Sequence, residues 1–200
     1  MNTKLPIVLA ITGASGAPYA VRLLQVFAQA AQPVWLIVSS HGWRLLQTES
    51  GIHDLRALRE HVGSDAWDAA VTVFDDNDRG ATPASGSAKV QGMAIVPCSM
   101  GTIASIAAGT SRSLVERAAD VALKERRPLI VVPRETPLSR IHLENMLRLT
   151  EAGAVVLPAA PGFYHQPERI EQLVDFVVQR ILDQLRVDVD IAPRWGDAEA

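Results

Sequence analysis

The residues best able to do chemistry open the chain. Thr12-Gly13-Ala14-Ser15-Gly16-Ala17-Pro18 follows directly on the apolar run Ile7-Val8-Leu9-Ala10-Ile11. Glycine lets a backbone approach an anion, and a helix N-terminus aims unpaired N–H groups at it. Pro18 suits a first helical turn, where its missing N–H costs nothing. Ala20, Val21, Leu24, Phe27 and Ala28 then recur at helical spacing, with Arg22 and Gln25 off the stripe. The pattern predicts a phosphate or ribityl cradle on a strand–loop–helix unit. A purely structural tight turn explains the loop about as well.

Three familiar loops nearly fit and fail. A dinucleotide fingerprint ending at Gly16 would put Ile11 at its first glycine. It also needs an acid after the second strand, and Val34–Val38 leads into Ser39-Ser40-His41. No G-K-[ST] is present, and Gly13-Ala14-Ser15-Gly16-Ala17 lacks the final glycine of a nucleophile elbow. A mononucleotide such as FMN fits the remaining hydroxyls better than NAD.

A second cradle, Pro97-Cys98-Ser99-Met100-Gly101-Thr102, follows the apolar run Met93–Val96. Ser99 is a good N-cap whose neighbours offer amides and a hydroxyl to an anion; a plain helix cap is the alternative. Cys98 reads as a small buried residue rather than a nucleophile. The third site is Pro133-Arg134-Glu135-Thr136-Pro137. Arg134 offers a bidentate fork for phosphate and Glu135 can carry protons; the alternative is a pair of solvated loop charges. Arg117 and Lys124 stand seven residues apart and share a helix face, as a cationic wall or as surface charge. Tyr164, in Gly162-Phe163-Tyr164-His165, could reach a phosphate or simply pack in the core. Arg180 falls on the edge of an apolar helix stripe, where a long cation can reach inward. Glu49 ends the second helix and would ordinarily be a surface residue. The five histidines show no metal spacing, and no structural zinc is expected.

The elements that must carry these residues alternate along the chain. Strand-like runs occur at 6–12, 33–39, 92–97, 128–133 and 154–158. Helical patterns occupy 17–31, 41–50, 100–109, 112–125, 137–152 and about 167–186. This predicts an α/β fold, Rossmann-like, three layers in αβα order with a mostly parallel sheet. Ligands in such sheets bind beyond the carboxyl ends of the strands, so the loops from Gly13, Ser39, Cys98, Pro133 and Ala159 should share one edge. The stretch 75–91 lacks periodicity and reads as a lid over an anion or a free tip. The final tail carries Pro193-Arg194-Trp195-Gly196, whose tryptophan is expected to pack on a neighbour rather than float free.

Two hundred residues with a net charge of −3 suit one domain without a nucleic-acid footprint. A single cysteine excludes an intramolecular disulfide framework and points to a reducing cytoplasm. The N-terminal apolar stretch is too short for a signal peptide or a membrane span. A soluble cytoplasmic protein is expected.

Together the segments 12–17, 97–102, 116–129, 133–138 and 161–165 resemble the flavin prenyltransferase family of UbiX type, within the FMN-binding cysteine-decarboxylase-like flavoproteins. The block Glu116–Leu129 is the specific part. The resemblance implies transfer of a dimethylallyl group from dimethylallyl phosphate to N5 and C6 of reduced FMN, without a metal. The product would serve a UbiD-type decarboxylase, often in ubiquinone synthesis. It also implies a large homo-oligomer, commonly a dodecamer, and a domain over 1–186 with 187–200 as a tail at a subunit contact. By position, Gly13, Ala14, Ser15, Ser39, Ser99, Met100, Gly101, Thr102 and Arg134 would hold FMN. Tyr164 and Arg180, helped by Lys124 and Arg117, would hold the prenyl phosphate. Ser15, Glu49 and Glu135 would manage protons. An FMN-dependent cysteine-type decarboxylase and a non-catalytic flavin carrier are the competing readings.

Overall fold

The central apolar runs, Ile7–Ile11, Gly92–Cys98 and Leu129–Pro133, form strands in which every residue is buried. The computed structural model describes residues 4–194. β1 (Ile7–Ile11), β2 (Val34–Val38), β3 (Val71–Phe74), β4 (Gly92–Cys98), β5 (Leu129–Pro133) and β6 (Val155–Val156) make one sheet in the order β3-β2-β1-β4-β5-β6. All neighbouring pairs are parallel. This is the Rossmann arrangement, with its switch point between β1 and β4.

Alternate residues of one strand serve two cores. Ile7, Leu9 and Ile11 pack with α1 (Ala17–Gln29) and α8 (Ile170–Leu185) on one face. Val8 and Ala10 pack with α5 (Met100–Ala107) and α6 (Leu114–Lys124) on the other. The same split holds in β5, where Ile130 and Val132 oppose Leu129 and Val131. A side-chain period of two, buried on both faces, is why these strands read as continuous apolar runs. The expected αβα layering is therefore present, and the sheet is wholly parallel.

Three elements lie outside the expected pattern. α2 (Ser40–Ser50) is followed by α3 (Leu55–Val62), α4 (Ser64–Ala70) and the edge strand β3. β3 has no fully buried residue, so it lacks the dense apolar signature of the central strands. The stretch 75–91 is not a free tip, and its Asp76 lines the same cleft as Gly13. The Asp76 carboxylate and carbonyl accept from the amides of Val115 (2.9 Å) and Leu114 (2.7 Å), capping α6. Pro83 and Ala84 are buried in a one-turn helix, Thr82–Ala84. Residues 187–194 lie along α8 of their own chain, where Gln179 bonds the Val189 carbonyl (3.1 Å) and the Ile191 amide (2.7 Å). Trp195 and Gly196 lie outside the described residues.

Candidate active site

The loops after β1, β2 and β4 meet beyond the carboxyl ends of those strands. Thr12 ties two of them together. Its buried hydroxyl donates to the Pro97 carbonyl (2.9 Å) and accepts from the Ser99 amide (2.9 Å). Thr12 thus holds the glycine loop against the second cradle. Ser39 caps α2 by accepting from the Gly42 amide (3.0 Å), and Ser99 caps α5 by accepting from Thr102 (3.1 Å).

A cleft of about 360 Å³ opens between them. Thr12, Gly13, Ser39, Ser40, His41, Ser99 and Thr102 line one side, and Asp76, Ser113, Val115 and Glu116 the other. Gly13 is required by close approach: a Cβ there would sit 2.4 Å from the Cβ of His41. The first-turn amides of α2 and α5 have no intrahelical acceptors, which suits a phosphate. This donor set, hydroxyls with two helix N-termini, fits a ribityl phosphate. Both acids of the far wall are hydrogen-bonded within the protein, Asp76 to the Val115 amide and Glu116 to Arg112. Glu116 accepts from the Arg112 amide (2.7 Å) and from the Thr110 hydroxyl (3.2 Å), and pairs with the Arg112 guanidinium (3.2 Å). Burial opposes its ionisation, but the hydrogen bonds and charge of Arg112, with Ser105, outweigh it and hold its carboxyl below the ordinary value.

The N-terminus of α1 is a different matter, and here the sequence expectation is corrected. The amides of Gly16 and Ala17 are taken by Oε2 of Glu49, at 2.8 Å each. Gly16 turns the chain at φ 128°, a conformation side chains disfavour. The anion at this helix end is therefore the protein's own carboxylate, and Glu49 is half-buried rather than a plain surface residue. The amides left without an intrahelical acceptor on the cleft lie instead at the N-termini of α2 and α5.

Arg134 Nε reaches the Ser15 carbonyl at 3.4 Å across 119 residues of sequence. Ser15, Glu49 and Arg134 thus gather around the glycine loop. Exposed Glu135 stands beside Arg134 and accepts from the Thr136 amide at 3.1 Å.

The remaining candidates are not brought to the cleft within one chain. Tyr164 and Arg180 line a small hollow of about 170 Å³ with Phe176, Asp183 and Arg194. Tyr164 packs edge-on against Phe176, with centroids 5.7 Å apart. Arg180 pairs with Asp183 at 2.9 Å. Lys124 lines another hollow with Arg126 and Arg127 and is paired with Glu125. Arg117 is paired with Asp120 at 2.6 Å. Cys98 is fully buried, and burial pushes its thiol pKa up, away from nucleophile character. Among the described residues no group of three or more His, Cys, Asp or Glu side chains could hold a metal ion.

The sequence marked 75–91 as a lid and the block from Glu116 as a motif, but assigned neither Asp76 nor Glu116 to the site. Asp76 has no local signal, since its partner Val115 is 39 residues away. Glu116 carried one: its spacing of four from Arg112.

Fold and cleft together define a doubly wound mononucleotide-binding protein. Comparison sharpens that class. A family model described as Flavoprotein matches residues 1–182. The chain is 51% identical over 198 residues to the flavin prenyltransferase UbiX of Pseudomonas aeruginosa, covering 96% of this chain and 94% of that one. It is 42% identical to the UbiX of Methanocaldococcus jannaschii, covering 96% and 99%. The crystal structure of AnUbiX (PadA1) in complex with FMN and dimethylallyl pyrophosphate superposes with TM-score 0.88 at 40% identity, over 97% of this chain and 98% of that one. The chain belongs to the Flavoprotein family and, within it, to the UbiX flavin prenyltransferases. The FMN-dependent cysteine decarboxylase TvaF shares the fold alone, at 14% identity and TM-score 0.62 over 92% of this chain and 99% of that one.

Proposed function

We infer that the protein transfers a dimethylallyl group from dimethylallyl phosphate to N5 and C6 of reduced FMN, and that prenylated FMN leaves for a UbiD-type decarboxylase. The observation that carries this is the hydroxyl-lined cleft at the β1/β4 switch point with Ser15, Glu49 and Arg134 gathered beside it. Reduced FMN supplies the electron-rich ring that accepts the allylic carbon. Gly13, Ala14, Ser15, Ser39, Ser99, Met100, Gly101, Thr102 and Arg134 hold it.

Tyr164, Arg180, Lys124 and Arg117 hold the prenyl phosphate. Breaking an allylic C–O bond gathers negative charge on the departing phosphate, and three cations with a phenol stabilise that charge. Protein cations do here what a metal would otherwise do. Ser15, Glu49 and Glu135 serve the proton transfers. Glu49 is fixed by two amides, which holds a carboxylate at a set place beside Ser15. One oxygen of Glu135 accepts from Thr136, and the other is left to take a proton.

In one chain the cleft, the Tyr164–Arg180 hollow, Lys124 and Arg117 all lie apart, so we assign the complete site to contacts between copies. Ile141 (67% exposed), Phe163 (68%) and Ile170 (74%) give the surface an apolar character that a second copy would cover. A UbiX-like relative from Escherichia coli O157:H7, 40% identical with TM-score 0.87 over 96% of this chain and 99% of that one, is described as dodecameric. We extend that assembly to this chain, with one domain over 1–186 and the tail 187–200 at a subunit contact. No helix among the described residues is long and apolar enough to cross a membrane, and we place the enzyme in the cytoplasm.

The test is an anaerobic incubation of the protein with reduced FMN and dimethylallyl phosphate, followed by mass spectrometry of the released flavin. A flavin heavier by one five-carbon unit is expected. Recovery of unmodified FMN alone refutes the assignment.

A further inference from the structure

We propose that Gly86, backed by Arg127, is a positioning residue for the Lys124 ammonium. The proposal rests on the reading of Lys124 as a prenyl-phosphate ligand, and adds to it what holds that ligand in place. Lys124 ends α6, and its side chain is about half exposed, with side-chain relative exposure of 47%. A free lysine tip has many rotamers, and ordering it on substrate binding costs entropy. Here the ammonium is paired with Glu125, and both charged ends lie where a side chain at position 86 would stand.

The geometry is tight. A Cβ at Gly86 would lie 2.7 Å from Nζ of Lys124 and 2.6 Å from Oε1 of Glu125. The backbone of Gly86 is itself held. Arg127 Nη2 donates to its carbonyl at 2.6 Å, across 41 residues of sequence. Nearby, Pro83 and Ala84 are buried against α6, so the segment cannot drift as a free loop would. The stretch 75–91 therefore acts as a backstop to the cation.

The same contacts make the idea separable from a structural role. Gly86 is not among the residues with positive φ, so alanine fits its backbone. The atoms a methyl group would strike are the ends of two flexible side chains, not main chain. Alanine therefore costs the fold little, while forcing the ammonium and its carboxylate partner to move.

The experiment compares Gly86→Ala, Lys124→Ala and the double variant in the assembled enzyme. Steady-state prenylation at saturating reduced FMN gives KM and kcat for dimethylallyl phosphate. FMN affinity and the melting temperature serve as controls. Gly86→Ala is expected to raise KM on the order of tenfold, with kcat, FMN affinity and melting temperature near those of the parent. The double variant should be no worse than Lys124→Ala, because the lysine is the route of the effect. Arg127→Gln, which frees the Gly86 carbonyl, should raise KM in the same sense and serves if Gly86→Ala fails to assemble. An unchanged KM in Gly86→Ala beside a raised KM in Lys124→Ala overturns this proposal and leaves the reading of Lys124 standing. Additive effects in the double variant also overturn it. An unchanged KM in Lys124→Ala overturns both.

Discussion

Replacing Glu49 with alanine removes the carboxylate that closes the N-terminus of α1. Two backbone amides, those of Gly16 and Ala17, lose a charged acceptor at 2.8 Å each. Hydrogen bonds to charged groups contribute about 1.5–3 kcal/mol each. Glu49 is only half-buried, so water can partly replace it and the lower end applies. The expected loss is about 3 kcal/mol for the pair. Glutamine keeps an acceptor oxygen at the same reach and loses mainly the charge–dipole attraction, about 0.5–1 kcal/mol. At about 2–4 °C per kcal/mol for a chain of this size, alanine should lower Tm by about 6–12 °C and glutamine by about 1–4 °C. The assay is thermal unfolding followed by far-UV circular dichroism, without flavin and at matched protein concentration, because assembly shifts Tm. An alanine variant within about 1 °C of the parent would refute the capping argument. So would a glutamine variant that falls as far as alanine.

Two further perturbations test the cleft. Gly13→Ala places a methyl group 2.4 Å from the Cβ of His41. The loop and α2 must then separate, so FMN affinity, read by flavin fluorescence titration, should fall at least about tenfold. An unchanged affinity would remove the glycine loop from the flavin site. Glu116 has a folded pKa below its ordinary 4.5, so its stabilising contribution is present above that value and is lost as pH falls through the folded one. Glu116→Gln should therefore lower Tm at neutral pH and flatten its decline as pH falls below the ordinary carboxylate range; an acid limb as steep as the parent's would show that Glu116 does not carry it.

Much of the site's chemistry was legible in the residues themselves. Ile7–Ile11 and Leu129–Val132 are buried on both faces of the sheet, so their apolar runs announce parallel central strands. Ser39 and Ser99 act as N-caps through bonds to residues three positions on, which a sequence displays directly. Local interactions of this kind are written in neighbouring letters. β3 escaped because an edge strand with no fully buried residue has a weak apolar signal. α3 offered a capping aspartate, Asp54, but only eight residues in which to show a period.

What tertiary structure decided is which partners meet across long separations. Glu49, alone in sequence at the end of a helix, fills the anion site of a helix that begins 32 residues earlier. Asp76 caps α6, Arg134 reaches Ser15, and Gly86 backs Lys124, none of them at a spacing that any helix or strand period would expose. Residue types and local spacing determined the strands, the caps and the kind of ligand. The sheet order determined which loops share an edge, and so which charges are spent inside the protein and which amides are left for a phosphate. The reason is physical: propensity and capping act over a few residues, whereas charge compensation depends on distance in space, which only the folded chain sets.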